Sequence, residues 1–249
     1  MNVKSVLIII LQAVCFTLSA QTTFLQQQKS YSRVRTAIAE KEKSVKDNLY
    51  KNKLAPDSIH ILITVFKYEK QLEIYAKKKT DSVYSRIASY DICRSSGKLG
   101  PKRQEGDGQV PEGFYHIDRF NPFSNFYLSL GINYPNPSDR KKSQAKRLGG
   151  DIFIHGSCVT VGCLPMTDEL IKEIYLYAVF AGNNGQSKIP VYIFPFRMTD
   201  VNFNAYRQKY KVDRELTAFW TNLKIGYDRF EKEKKALNVS VNKNGDYVF

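Results

Sequence analysis

The chain has 249 residues, of which 43% are hydrophobic and 13% aromatic, which is ample for a packed core and excludes a disordered protein. Its 38 Lys and Arg against 24 Asp and Glu leave a net charge of +14, which suits an anionic neighbourhood: nucleic acid, a phospholipid surface or an acidic cell-wall polymer. The basic residues are spread along the chain and no nucleic-acid motif accompanies them, so no nucleic-acid partner is expected.

Lys4 precedes an apolar stretch from Val6 to Leu18, broken mildly at Gln12 and Thr17, and small residues follow at Ser19 and Ala20. This is the order of a secretory leader over 1–20, and the stretch is short for a membrane span. The expected location is therefore the periplasm or cell envelope, with membrane attachment only through the leader if it is left uncleaved. Cleavage after Ala20 removes one positive charge and leaves three cysteines, Cys93, Cys158 and Cys163. An odd number outside the cytoplasm leaves at least one thiol unpaired or intermolecular.

Residues 24–54 read as one amphipathic helix, with Tyr31, Val34, Ile38, Val45 and Leu49 mostly at three- and four-residue steps, and Pro56-Asp57-Ser58 closes it. Ile59 to Lys67 and Gln71 to Lys77 flank a short link as a β-hairpin would, and Val83 to Cys93 reads as a third extended stretch. A loop rich in Gly, Pro and charge spans Gly97 to Gly113, followed by the strand Phe114–Ile117. A second loop, Asn121 to Arg140, encloses the apolar run Phe126–Leu130. Asp151–His155 reads as a strand. A helix then starts at Thr167 as N-cap, with Asp168 and Glu169 in its first turn, runs to about Phe180 and ends at Asn183-Asn184-Gly185. Val191–Phe194 is a further strand, Asp200 to Lys235 turns helical with Trp220 packed inward, and the tail beyond Asn238 carries no signal. The expected division is an N-terminal helical segment at 21–55, a catalytic domain at 56–200 and a C-terminal helical extension at 201–249.

Between the strand at Asp151–His155 and the helix at Thr167 lies His155-Gly156-Ser157-Cys158-Val159-Thr160-Val161-Gly162-Cys163. A free thiol near pH 7 is only a few per cent thiolate, and a histidine within reach can take its proton. The spacing admits three readings. One is a catalytic Cys/His pair, with Gly162 allowing a tight turn whose amide N–H groups face a carbonyl oxygen. Another is a metal site, H-x2-C-x4-C, which lacks a nearby fourth ligand. The last is structural, a Cys158–Cys163 disulfide or small buried residues. Cys93, in an apolar strand pattern, reads as core, and His60 and His116 read as structural.

The segment His155-Gly156 … Thr160-Val161-Gly162-Cys163 resembles the HG … Ser/Thr-x-Gly-Cys signature of the L,D-transpeptidase (YkuD-type) family. Upstream, Ser95 to Lys102 and Gly106-Asp107-Gly108-Gln109-Val110-Pro111-Glu112-Gly113-Phe114-Tyr115-His116-Ile117 resemble that family's G-D-x-x-T-P-x-G-x-Y-x-I block. The insert before Thr160 is short, Leu164-Pro165-Met166 follows the cysteine, and Val110 stands for the usual Thr. With Cys158 and the run Ile193 to Thr199, these features are similar to the YafK/DpaA-like branch, described as hydrolases that detach lipoprotein from peptidoglycan.

The resemblance implies an α+β fold: a mainly β, sandwich-like catalytic domain with an N-terminal helix, a helix beside the site and C-terminal helices. It implies Cys163 as nucleophile, His155 as base and the Gly156 carbonyl as the group orienting the imidazole. The N–H groups of Gly162, Cys163 and Val161 would form the oxyanion hole. No metal or cofactor is implied. The implied substrate is the diaminopimelate-containing stem peptide of peptidoglycan, with a peptidoglycan-linked lipoprotein or other protein as a further partner. The implied activity is hydrolysis through an acyl-enzyme. Transpeptidation is the alternative within the enzyme class, and a non-catalytic wall-binding protein is the alternative outside it. Lys98, Lys102, Arg103 and Arg140 are candidates for binding substrate carboxylates and Tyr134 for lining the pocket, each against a bland reading as surface charge or packed aromatic.

Overall fold

The structure, a computed structural model, describes residues 22–249, so the leader read at 1–20 lies outside the described residues. The expected N-terminal helix is two helices. α1 (Phe24–Lys29) is closed by a capping box between Thr23 and Gln26, and α2 (Ser32–Lys51) restarts after an extended Tyr31. The Arg35 guanidinium donates to the Lys29 and Ser30 carbonyls, satisfying acceptors that end α1. Buried Gln28 meanwhile accepts from the Tyr175 hydroxyl at 2.8 Å and pins α1 to the body of the protein. Val34, Ala37, Val45 and Leu49 form the buried stripe of α2.

β1 (Ile59–Phe66) and β2 (Gln71–Lys78) form the expected antiparallel hairpin, and β3 (Ser85–Asp91) extends it. Next come β4 (Gly113–Asn121), β5 (Ser129–Ile132), the short helix α3 (Pro137–Lys142), β6 (Phe153–His155) and β7 (Leu164–Pro165). α4 (Asp168–Asn183) follows with Thr167 as its N-cap, accepting from the Leu170 N–H, and β8 (Pro190–Phe194) returns to the sheet. The eight strands form one sheet in the order β3-β2-β1-β8-β4-β5-β6-β7, in which β1–β8 and β6–β7 are parallel and the other pairs antiparallel. β4 is shared: Gly113–His116 pairs with β8, and Ile117–Asn121 pairs with β5 across a register shift between Ile117 and Arg119. Such a bulge sharpens the local twist, so the sheet curls at β4 and carries its β5–β6–β7 end around.

The period-two alternation of the strands divides the core. Ile61, Ile63, Val65, Ile117, Val191 and Ile193 face α2 and α4 on one side of the sheet. Leu62, Phe66, Phe114, Tyr192 and Phe194 face the other side, covered by α5 (Asp200–Lys209) and α6 (Arg214–Glu233) with fully buried Trp220. The tail is structured where the sequence showed no pattern. β9 (Ser240–Val241) and β10 (Tyr247–Val248) form a small hairpin whose Tyr247 packs edge-on against Phe114 and accepts from Asn136 Nδ2 at 2.9 Å. Two-residue strands are too short to show a period, and long-range contacts to Asn222 and Asn136 hold this one. The fold class is α+β, a curled sheet flanked by helices, and among the described residues no helix is long and apolar enough to cross a membrane.

Candidate active site

His155 is the last residue of β6, and Cys163 immediately precedes β7. The parallel register sets Ile154 beside Leu164 and His155 beside Pro165, so continuing it one step sets Phe153 beside Cys163. Side chains alternate along strands. Ile154 and Leu164 therefore enter the core, His155 at the end of β6 is buried, and half-buried Cys163 lies in the bend that leads into β7.

Two glycines between these residues meet different constraints. Gly162 has φ +94°, and a Cβ there would sit 3.0 Å from the Gln109 carbonyl oxygen. At Gly156 the constraint is space, since a Cβ would meet Asp168 Oδ1 at 2.5 Å and the Phe126 carbonyl oxygen at 2.9 Å.

The His155 ring is buried, and its Nδ1 lies 2.5 Å from the Gly156 carbonyl oxygen. A carbonyl only accepts, so the neutral ring carries its proton on Nδ1 and leaves the lone pair on Nε2. Phe126 lies tilted against the imidazole with centroids 4.7 Å apart. Burial draws the imidazole pKa below its ordinary value, opposed by the Gly156 carbonyl. The strand end is fixed by Met166 N–H donating to the His155 carbonyl at 2.7 Å and Gly156 N–H to the Leu128 carbonyl at 3.1 Å. Ser157 N–H donates to Asp168 Oδ1 at 2.8 Å, which ties the loop to the start of α4.

The Cys163 thiol donates to the Asp151 carbonyl at 3.6 Å, and no hydrogen bond joins it to His155 among the described residues. Burial pushes its pKa up; the Phe153 backbone and Lys102 draw it down, and Asp151 opposes them. Both shifts favour the uncharged forms of the two groups. Two of the three amides expected to form an oxyanion hole are engaged: Gly162 N–H donates to Ser96 Oγ at 2.7 Å and Cys163 N–H to Thr160 Oγ1 at 2.9 Å. Val161 N–H has no acceptor among the described contacts, and its side chain is exposed.

The cysteine assignments need correcting. Cys93 is not a core thiol and Cys158 does not pair with Cys163; Cys93 and Cys158 are joined in a disulfide, with Cα atoms 5.7 Å apart, and Cys163 is free. The reason is tertiary. Cys93 N–H donates to the Pro165 carbonyl at 3.1 Å, laying the end of the β3 segment along β7, while Ser157 at φ +62° turns Cys158 back over it. The odd cysteine count held the signal, since one free working thiol leaves the other two as a pair. A disulfide sulfur is no thiolate ligand, so the H-x2-C-x4-C metal reading loses Cys158.

The candidate binding residues divide. Lys102 is buried, donating to Asp107 Oδ1 at 2.6 Å, and Arg103 pairs with buried Asp139 at 3.2 Å. Tyr134 is packed, its hydroxyl donating to the Leu148 carbonyl at 3.2 Å. Lys98 and Arg140 are exposed, Lys98 on a cavity of about 400 Å³ between the 97–109 loop and α6. His60 and His116 sit in β1 and β4 as read. The cleft at Cys163 is instead a small concavity of about 10 Å³, bordered by Lys67, Lys70, Arg94, Ser95 and Val110. Sequence reasoning missed Phe126, Ser96, Lys70 and Arg94 as neighbours of the site, because each arrives from a segment 29 or more residues away from the nearer of His155 and Cys163.

The family described as YkuD, L,D-transpeptidase catalytic domain, matches residues 60–193. The protein YafK of Escherichia coli strain K12, named provisionally as an L,D-transpeptidase, is 41% identical over 201 residues, covering 80% of this chain and 76% of the relative; its counterpart in strain O157:H7 matches equally. Among solved structures, the helical cell shape determining protein Pgp2 of Campylobacter jejuni aligns over 74% of each chain at 20% identity, with a TM-score of 0.43. The chain belongs to the YkuD L,D-transpeptidase catalytic domain family.

Proposed function

We propose that this protein is a cysteine-dependent peptidoglycan hydrolase of the cell envelope, exported by its leader. It opens an acyl bond at the diaminopimelyl centre of a stem peptide and so detaches a linked peptide or protein. The observation that carries this reading is the placement of His155 at the end of β6 and of Cys163 immediately before the adjacent parallel strand β7, with Nδ1 held by the Gly156 carbonyl and Nε2 left as the base.

Rotation about the Cys163 Cα–Cβ bond takes Sγ from the Asp151 carbonyl toward Nε2, a tightening of the kind that bound substrate brings about in many enzymes. The thiol proton passes to Nε2 as sulfur bonds to the substrate carbonyl carbon. The oxyanion takes the free Val161 N–H and displaces the Ser96 hydroxyl from Gly162 N–H. The C–N bond breaks, the amine leaves with the proton from Nε2, and a thioester remains. Water then gives a proton to Nε2 and its oxygen to the acyl carbon, and the thiol is restored. The near-neutral resting pair suits proton transfer concerted with attack. Every step uses side chains and amides of this chain.

The second reading, transfer of the same acyl group to an amine, is favoured by the name of the YafK relative and by the family. The short insert and Leu164-Pro165-Met166 after Cys163, which resemble the branch described as hydrolases, support water as the acceptor. Incubation with cross-linked and protein-bearing sacculi tests both, by product mass: net cleavage is expected, new amide links would replace hydrolysis with transfer, and unchanged turnover by Cys163→Ala would remove the nucleophile.

A further inference from the structure

We propose that Arg94 and Lys70 form an anion subsite beside Cys163 that binds the free side-chain carboxylate of the diaminopimelyl residue. The identity of that carboxylate rests on the proposed function above; the subsite itself rests on the arrangement of charge around the thiol.

Four lysines and arginines of the surrounding strands and loops are already paired. Lys67 donates to Glu112 at 2.8 Å, Lys102 to Asp107 at 2.6 Å, Arg103 to Asp139 at 3.2 Å, and Arg119 to Asp151 at 3.1 Å. Arg94 and Lys70 border the same cleft as Cys163, together with Ser95 and Leu164, and among the described residues neither has an ion-pair partner. Both side chains are exposed, but the backbone carrying them is fixed. Ile92 N–H donates to the Lys70 carbonyl at 2.7 Å, which couples the β1–β2 turn to the segment ending at Arg94. One residue before Arg94, Cys93 is bonded to Pro165 of β7 through its N–H and to Cys158 of the active-site loop through its sulfur. Arg94 thus directly follows a residue held by two attachments to the elements around Cys163.

The chemistry of the pair fits a carboxylate. A guanidinium offers parallel N–H donors matching two carboxylate oxygens, and an ammonium adds a second charge without geometric demand. A stem peptide whose acyl carbon sits at Sγ presents an α-amino acid centre a few bonds away, and its carboxylate is the anion available to this edge of the cleft. The subsite selects substrate and holds it; it takes no part in bond making.

The test is calorimetric binding to the full chain carrying Cys163→Ala, so that no turnover interferes. The probes are the tripeptide L-Ala–D-Glu–meso-diaminopimelate and the same peptide with the side-chain carboxyl as carboxamide. The expected result is a preference for the acid of tenfold or more. Arg94→Ala abolishes it, Lys70→Ala reduces it, and Arg94→Lys restores it in part, with carboxamide binding unchanged throughout. Equal binding of the two probes, or an acid preference that survives Arg94→Ala combined with Lys70→Ala, overturns the subsite. Turnover by the wild-type chain is scored separately. Discrimination in binding with no cleavage sinks the proposed reaction and leaves the subsite standing, whereas cleavage indifferent to the carboxylate does the reverse.

Discussion

Phe126 lies against the His155 imidazole, with ring centroids 4.7 Å apart and planes inclined by 31°. It is an apolar neighbour of the imidazole, and its removal tests how much of the ring's acidity comes from burial. Phe126→Ala should let water reach the ring and raise the imidazole pKa toward its ordinary 6.5. Titration of His155 by NMR reads this directly, and an unmoved pKa would show that other groups set it.

The two shifts also fix the expected pH profile. His155 is held below 6.5 by burial and Cys163 above 9.0 by burial, so the resting pair is neutral between them. The specific rate should rise with a midpoint below pH 6.5 and stay level through neutrality, with no second rise until above pH 9. Stability follows the same signs. The His155 contribution is complete above 6.5 and is lost as pH falls through the folded value, while the Cys163 contribution is complete below 9.0 and is lost as pH rises through its folded value. Rate profiles and denaturant melts across pH 4 to 10 check both, and a rate midpoint near the thiol range would contradict them.

Gly162→Ala should cost more in rate than in stability. Its positive φ and the Gln109 carbonyl 3.0 Å from the added Cβ force the Gly162 N–H out of line. Loss of one oxyanion donor is worth about 10²–10³ in turnover, while the left-handed conformation costs about 1–2 kcal/mol. Steady-state rates beside thermal melts separate the two, and a fully active variant would remove Gly162 from the oxyanion site.

Reducing the Cys93–Cys158 bridge, which closes a separation of 65 residues, should lower unfolding stability by about 2–5 kcal/mol. Among the described cysteines only Cys163 should label in the native, oxidised protein, and all three after reduction. Two or three labelled thiols without reductant would contradict the pairing.

Glu112 is fully buried and accepts from Lys67 at 2.8 Å, Gly100 N–H at 2.7 Å and Trp220 Nε1 at 2.8 Å. Glu112→Ala strands a buried ammonium and should destabilise by about 3–5 kcal/mol. It should also loosen the segment 96–113, whose Ser96 and Gln109 touch Gly162. Denaturant unfolding checks the first effect, and a loss below about 1 kcal/mol would mean that water reaches Lys67.

The hairpin at Ile59–Lys78, the N-cap at Thr167 and the burial of Trp220 were legible because local periodicity and capping chemistry set them over a few residues. The break at Ser30–Tyr31 was not, since it depends on Gln28 meeting Tyr175 from across the chain. The His-Gly and Gly-Cys elements were visible because Gly156 and Gly162 meet constraints that no larger residue satisfies where they stand. Which cations face the thiol was decided only in three dimensions. Lys102 and Arg103 lie near in the signature block yet are taken up by Asp107 and Asp139, while Lys70 and Arg94 arrive unpaired from a turn and a strand end. The sequence by itself determined the chemical repertoire, since residue type sets what a group can donate or accept. Its partners were decided by the tertiary structure, because a charge or thiol is spent or left free according to what the sheet's register brings beside it.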